Sequence, residues 1–247
     1  MMLSAKTVVI TGCLQGIGKT TLETFARSGA TVFACCQFPD PDFMDFIGDL
    51  SEKYQATIIP VYFDLLDGNA IKQAAMSIQK TKKPVDVLVN IAGVNFDANF
   101  QMVTQEQLQK TFAINFFAQI AFTQYIVRIM LRQKKGSIIN VSSISALDGN
   151  PGQLAYASAK AAWIAATKTM SAELGPQGIR VNAVAPGIIS TAMTASLSNE
   201  VMTRQMARCK LKRLGRPEDV ASALLWLASD ISSYTTGQII RIDGGMG

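Results

Sequence analysis

The sequence predicts an α/β fold: a doubly wound, parallel, seven-stranded sheet in a single domain spanning 1–247. Three observations predict it. Seven short β-branched runs are apolar almost without interruption, the pattern of parallel strands covered by helices on both faces. Helix-length segments alternate with those runs. A chain of 247 residues with 49% hydrophobic and 17% charged side chains also supplies one sizeable core.

The elements follow in order. KTVVIT (6–11) leads into a glycine turn and a helix over 17–28; ATVFACC (30–36) precedes a helix at about 41–54, and ATIIPVYF (56–63) a helix over 68–80. VDVLVNIA (85–92) is followed by the longest helical segment, 104–133. Thr104 with Gln107 three residues on forms a capping-box pattern at its start, and Gly136 behind Lys134 and Lys135 suits its end. GSIINVS (136–142), a helix over 155–174 and IRVNAVAP (179–186) come next. Pro217 before Glu218 and Asp219 opens a helix over 217–229, and QIIRIDGG (238–245) is the last strand. The stretch 188–216 interrupts the alternation with small and polar residues and then a basic run from Arg204 to Arg216. That insertion is expected to form a substrate lid. Its basic residues read first as a solvated helix face and second as a surface for an acidic partner.

The turn TVVITGCLQGIGKTT (7–21) fits neither common phosphate motif. A mononucleotide loop requires glycine, four residues and Gly-Lys-Ser/Thr, and Gly12 stands one residue too early; G-x-G-x-x-G fails because Thr21 follows Gly16 and Gly18. G-x-x-x-G-x-G remains, a strand-to-helix turn that lets backbone approach a pyrophosphate while a helix N-terminus offers free N–H groups. A glycine turn with no ligand is the plainer alternative.

Composition narrows the chemistry. Histidine is absent and the four cysteines, at 13, 35, 36 and 209, form no C-x-x-C, which disfavours a metal centre and every triad built on Ser-His or Cys-His. A net charge of +5 from 23 basic and 18 acidic residues is too mixed for a nucleic-acid partner, though it favours anionic ligands. The first apolar run leaves no room for a leader segment, and no run approaches the roughly 20 apolar residues of a membrane span. A cytoplasmic, reduced protein without membrane attachment is expected.

YASAK places Tyr156 and Lys160 four apart, on one helix face, where an ammonium can lower a phenol's pKa from about 10 and suit it to proton transfer near neutrality. On its own, Tyr-x-x-x-Lys is an ordinary surface spacing. Ser142 and Ser143, however, end the strand upstream at the ligand-binding edge of the sheet, where a hydroxyl could hold a carbonyl oxygen beside the phenol.

TGCLQGIG (11–18), NIAG (90–93), Asn115 in FAINFFA, Ser143, YASAK (156–160), NAVAPGIIST (182–191), RLGRPEDVA (213–221) and TGQIIRIDGG (236–245) together resemble the short-chain dehydrogenase/reductase family over essentially the whole chain. The likeness is greatest to its 3-oxoacyl-[acyl carrier protein] reductase group, and it implies a Rossmann-type sheet. It implies that Tyr156 donates the proton in reduction and that Lys160 lowers its pKa and holds the nicotinamide ribose. Ser143 would orient the carbonyl, and Asn115 would anchor a water in a relay from Lys160 to solvent. Gly12, Gln15, Gly16, Ile17 and Gly18 would line the pyrophosphate; Cys36 and Gln37 would meet the adenosine ribose; Asp64 and Leu65 the adenine. Asn90, Ala92 and Gly93 would flank the adenosine ribose, and Pro186, Gly187, Ile189 and Thr191 the carboxamide. Singly, Asp64 as a strand-end cap, Asn115 as a satisfied mid-helix residue and Thr191 as a helix cap are adequate readings.

Three departures from the family pattern carry expectations. Cys36-Gln37 and Gln15 offer neither the acid that selects NAD nor the base that selects NADP, and with Lys19 nearby NADP(H) is favoured over NAD(H). Ile91 stands where asparagine is usual, with little effect expected on the strand. Cys13 lies in the cradle, and a helix N-terminus could make it sensitive to alkylation. The resemblance implies reduction of a 3-oxoacyl thioester in fatty acid biosynthesis, with acyl carrier protein as a partner docking near Lys134, Lys135 and the 204–216 cluster. Sugar or polyol dehydrogenation, and a non-catalytic cofactor-binding role, are the alternatives. Phe96, Phe100, Met193 and Met202 are candidates for a pocket rim. Apolar residues around much of the 104–133 and 155–174 helices imply a partner subunit, and the resemblance implies a homotetramer.

Overall fold

The computed structural model describes residues 1–195 and 199–246, so residues 196–198 of the expected lid lie outside the described residues. All seven expected strands are present: β1 Thr7–Thr11, β2 Thr31–Cys36, β3 Ile58–Tyr62, β4 Val87–Asn90, β5 Gly136–Val141, β6 Ile179–Pro186 and β7 Ile239–Ile242. They form one parallel sheet in the order β3-β2-β1-β4-β5-β6-β7. The order reverses between β1 and β4, and the carboxyl ends of strands flanking such a reversal open a crevice.

Alternate residues of each strand serve opposite faces. Val8 and Ile10 join Leu22 and Phe25 of α1 (Gly16–Arg27), Phe43 and Leu50 of α2 (Pro41–Tyr54), and Val220 and Leu224 of a C-terminal helix, Pro217–Ala228. Val9, between them, joins the other face with Ile71 and Ile78 of α3 (Gly68–Lys80) and with Phe122, Ile126 and Met130. The strands read as continuously apolar because both faces are buried.

Local chemistry sets the helix ends. The Asp40 carboxylate accepts from the Phe43 N–H at 2.8 Å at the start of α2, and Pro41 is its first residue. Thr104 and Gln107 form the expected reciprocal box, each bond 3.1 Å, at the start of α4 (Gln105–Phe112). The long segment is not uniformly α-helical: a π-helical turn, Ala113–Phe117, joins α4 to α5 (Ala118–Gln133). Its end also differs from expectation, since Lys134 itself takes the left-handed conformation (φ 52°) and Gly136 already belongs to β5.

A further correction concerns membrane-span length. The 29-residue helix Gln105–Gln133 is long and apolar enough to cross a membrane. Phe122, Ile126 and Met130 nonetheless pack beneath the sheet, and Asn115, Gln119 and Thr123 are buried along it in hydrogen bonds, so the core accounts for part of this composition. After β5 come a short α6 (Ser145–Asp148) and α7 (Leu154–Leu174); the insertion after β6 holds α8 (Ala192–Ala195) and α9 (Asn199–Arg208), and Pro217–Ala228 is α10.

Candidate active site

Two cavities open at the carboxyl ends of the strands and share Ile17, Val141, Tyr156, Thr191 and Met193. The larger, of about 550 Å³, runs from the glycine turn past β2 and β4 to Tyr156 and Lys160. The smaller, of about 270 Å³, extends from Ser143 and Tyr156 toward α6 and α9.

Backbone geometry shapes the larger cleft. Gly12 adopts φ +77°, and a Cβ there would stand 2.9 Å from the Ala92 backbone; a Cβ on Gly18 would run into the Gly12 carbonyl oxygen. The turn therefore folds closely against both the segment just after β4 and its own helix. Gln15 precedes α1 without a side-chain capping bond, which leaves first-turn N–H groups for a ligand. A cleft with this cradle at one end and a buried lysine at the other fits a dinucleotide.

Most of the expected contacts line it: Gly12, Gln15, Gly16, Ile17, Gly18, Cys36, Gln37, Asp64, Leu65, Ala92, Gly93, Tyr156, Lys160 and Thr191. Pro186, Gly187 and Ile189 line the smaller pocket instead. Asn90 lines neither. Its Nδ2 donates to Thr123 Oγ1 at 3.0 Å and to Asn140 Oδ1 at 2.9 Å, so it pins α5 and β5 beneath the cleft, and its Oδ1 has no hydrogen-bond partner among the described residues. Cys13 is likewise turned inward: fully buried, its thiol donates to the Ile10 carbonyl at 3.2 Å, and burial raises its pKa well above the usual value. The expected sensitivity to alkylation is overturned. Lys19 also leaves the cleft, its ammonium sitting 4.3 Å from the Phe46 ring centroid. Gln37 Nε2 donates to Asp64 at 3.3 Å. Ile91 keeps its place, its N–H donating to Thr11 Oγ1 at 3.0 Å.

At the junction of the cavities, Lys160 Nζ donates to the Val141 carbonyl at 2.8 Å and lies 5.9 Å from the Tyr156 ring centroid. Burial pushes the Lys160 pKa down to about 8. The Tyr156 pKa is raised rather than lowered: burial dominates, the Ser143 hydroxyl opposes it, and the Asp97 carboxylate adds to the rise. The expectation that Lys160 depresses the phenol is thus not met by the chain's own groups, because desolvation outweighs the Ser143 hydrogen bond, the one influence that lowers the value. Ser142 is structural, its hydroxyl donating to the Lys160 carbonyl at 2.8 Å.

Asn115 sits on the π turn, fully buried. Its Oδ1 accepts from the Val94 N–H and its Nδ2 donates to the Val94 carbonyl, both at 2.8 Å. Its own carbonyl accepts from Trp163 Nε1 at 2.7 Å and from Gln119 Nε2 at 3.2 Å. Every polar group of Asn115 side chain and carbonyl therefore has a protein partner, and the residue holds the 92–95 wall of both cavities in place.

The smaller pocket contains residues to which sequence reasoning gave no individual role, Asn95, Asp97, Asn150, Gln153 and Gln205 among them, together with Arg208, expected only as part of the basic surface run. GNPGQLAY, the approach to Tyr156, was the available signal for two of these. Of the candidate rim residues, Phe96 lines the larger cleft and Met193 both cavities, whereas Phe100 and Met202 line neither.

A parallel sheet with a glycine cradle at its switch point, and a Tyr-Lys-Ser cluster at the far end of the same cleft, defines a dinucleotide-dependent oxidoreductase. The chain belongs to the short-chain dehydrogenase/reductase family: residues 12–247 match the family model described as Enoyl-(Acyl carrier protein) reductase. It is an NAD(P)-dependent enzyme acting between CH–OH and C=O groups. Among its relatives is the 3-oxoacyl-[acyl-carrier-protein] reductase FabG of Thermotoga maritima, 41% identical over 246 residues that cover 100% of this chain and 99% of the relative. Two solved structures are similar at 30% identity. A 3-oxoacyl-[acyl-carrier protein] reductase from Brucella melitensis superposes with a TM-score of 0.88 over 99% of this chain and 92% of its own. A putative NAD(P) dependent gluconate 5-dehydrogenase from Beutenbergia cavernae, with bound NADP, does so with a TM-score of 0.91 over 99% and 97%.

Proposed function

We propose that the protein reduces the ketone of a 3-oxoacyl thioester, carried on acyl carrier protein or coenzyme A, with NADP(H) as cofactor. The observation that carries this reading is the placement of Tyr156 where the two cavities meet, with Ser143 beside it and Lys160 behind it. The resemblance to 3-oxoacyl-[acyl-carrier-protein] reductases over the full chain supports the acyl substrate.

In this reading the larger cleft holds the dinucleotide: the Gly12–Gly18 turn and the α1 N-terminus meet the pyrophosphate, Gln37 and Asp64 the adenosine end, and Lys160 the second ribose. When bound, the nicotinamide supplies the hydride. Tyr156 delivers the proton from its Oη to the carbonyl oxygen, which Ser143 Oγ orients. A raised phenol pKa keeps Tyr156 protonated and ready as the acid at neutral pH. Lys160, with a pKa of about 8, stays largely cationic there, and its charge stabilises the phenolate left behind. Asn115 acts by holding Val94, so any relay water must be anchored by another group.

NADP(H) is favoured over NAD(H) because β2 ends at Cys36 and is followed by Gln37, where no carboxylate of its own takes the two ribose hydroxyls. The 188–216 insertion acts as the lid, the protein works as a cytoplasmic homotetramer packed through α4–α5, α7 and β7, and acyl carrier protein is the docking partner. Exposed Phe117 and its neighbour Phe116, which meets Trp163 edge-to-face, support the subunit contact.

A second reading, oxidation of a sugar acid or polyol, is favoured by one observation: the smaller pocket is walled by Asn95, Asp97, Asn150, Gln153 and Gln205, all able to bind hydroxyl groups. The deciding experiment follows NADPH oxidation with acetoacetyl-coenzyme A and a 3-oxoacyl carrier protein, repeats both with NADH, and then tests polyols. Turnover of the thioesters supports the first reading; turnover confined to polyols replaces it. Sedimentation as a monomer at micromolar concentration would refute the tetramer.

A further inference from the structure

We propose that Asn150 and Gln153 are positioning residues that tie the seating of α9 to the orientation of Ser143, so that the lid and the wall around the reacting carbonyl act as one unit. The inference rests on the roles proposed above for Ser143 and for the 188–216 insertion.

A continuous chain of hydrogen bonds joins the two. Gln205 of α9 is only 7% exposed, and its Nε2 donates to Asn150 Oδ1 at 3.0 Å. Asn150 Nδ2 donates to Gln153 Oε1 at 3.0 Å, and the same oxygen accepts from the Ser145 hydroxyl at 2.7 Å. The Ser145 N–H then donates to Ser143 Oγ at 3.1 Å. Gln153 stands one turn before Tyr156, and all five residues of the chain line the smaller pocket.

The turn between α6 and α7 carries Gly149 at φ +72° and Gly152 at φ +85°, and neither has any atom within 4 Å of where a Cβ would stand. Hydrogen bonds help to set its position, and the Gly152 carbonyl also accepts from the Ala98 N–H at 2.9 Å. Loss of the Gln205 bond leaves the Asn150 amide oxygen unpaired beside the pocket, and a partly satisfied polar chain realigns. A separate clamp attaches α9 independently: Asp148 accepts from Arg208 at 3.5 Å and from Arg241 at 2.7 and 2.8 Å. Removing Gln205 thus tests alignment without detaching the helix.

The test compares the full-length protein with Asn150→Leu, Gln205→Leu and the double variant, following NADPH-dependent reduction of acetoacetyl-coenzyme A and NADPH binding by fluorescence. Each single variant is expected to lower kcat by about tenfold, with KM within about threefold and NADPH affinity unchanged, and the double variant to fall no further than the weaker single. Retained NADPH affinity shows that the fold is intact. Multiplicative losses in the double variant, or unchanged kcat, would overturn the proposal. A wild-type protein silent on this substrate would overturn the acyl reading alone, and amide hydrogen exchange then decides the inference. Faster exchange across 143–153 in Gln205→Leu supports it, and unchanged exchange there sinks it.

Discussion

The larger cleft has a main-chain cradle at its glycine turn and takes the rest of its lining from the ends of the strands and from α4 and α7, whereas the smaller pocket is lined by residues drawn chiefly from 95–97, 141–156, 186–194 and 201–208. The first cavity asks of the sequence small residues at a few spacings. Gly12 lies against Ala92 and Gly18 against Gly12 because nothing larger fits. The second asks for polar side chains that satisfy one another across long separations, as Gln205 and Asn150 do over 55 positions. A backbone cradle can serve one ligand class in many proteins, while a side-chain wall sets which substrate enters.

Several substitutions would break or sharpen that contrast. The largest effect is expected at the shared residue. Tyr156→Phe should lower kcat by about 10²–10⁴-fold and leave NADPH affinity nearly intact, measured by steady-state turnover and fluorescence titration. Parallel loss of cofactor binding would mean that the phenol is part of the cradle instead.

Next comes the cradle itself. Gly18→Ala forces a methyl against the Gly12 carbonyl, so NADPH binding should be lost and stability reduced by about 1–3 kcal/mol in thermal unfolding. Smaller again is the adenosine end: Gln37→Asp should shift the NADH-to-NADPH ratio of kcat/KM by about tenfold or more toward NADH, since a carboxylate there repels a 2′-phosphate.

The smallest effect is electrostatic. Burial holds Lys160 at about 8 against an ordinary 10.5. Between those pH values the unfolded chain binds a proton that the native chain does not, so native stability rises with pH from about 8 to about 10.5. Lys160→Met removes that gain. The variant should melt higher than the wild type at pH 7, and its advantage should shrink as pH rises toward 10.

The strands were legible because burial on both faces leaves a direct mark, an unbroken apolar run, and because glycine and proline punctuate the chain where backbone must turn. Thr104 and Gln107 were legible for the same local reason: a capping box is written within four residues. Asn90 misled because its side chain looks suited to a ribose, yet the pairing of β4 with β5 sets it opposite Asn140, under the sheet edge. Cys13 misled because position in a turn does not say which way a side chain points. The rise of the Tyr156 pKa was equally invisible, since desolvation depends on atoms from distant segments.

By itself, then, the sequence determined the sheet, its helices, the glycine cradle and the Ser143, Tyr156 and Lys160 cluster, all of which follow from local periodicity or from family-wide spacing. Only the tertiary structure decided that Asn115 spends its side chain on Val94, that Lys19 leaves the cofactor cleft for Phe46, and that α9 is bonded through Asn150 to the wall of the reacting pocket. These are contacts between segments far apart in the chain, and their geometry is settled by packing, which no local pattern encodes.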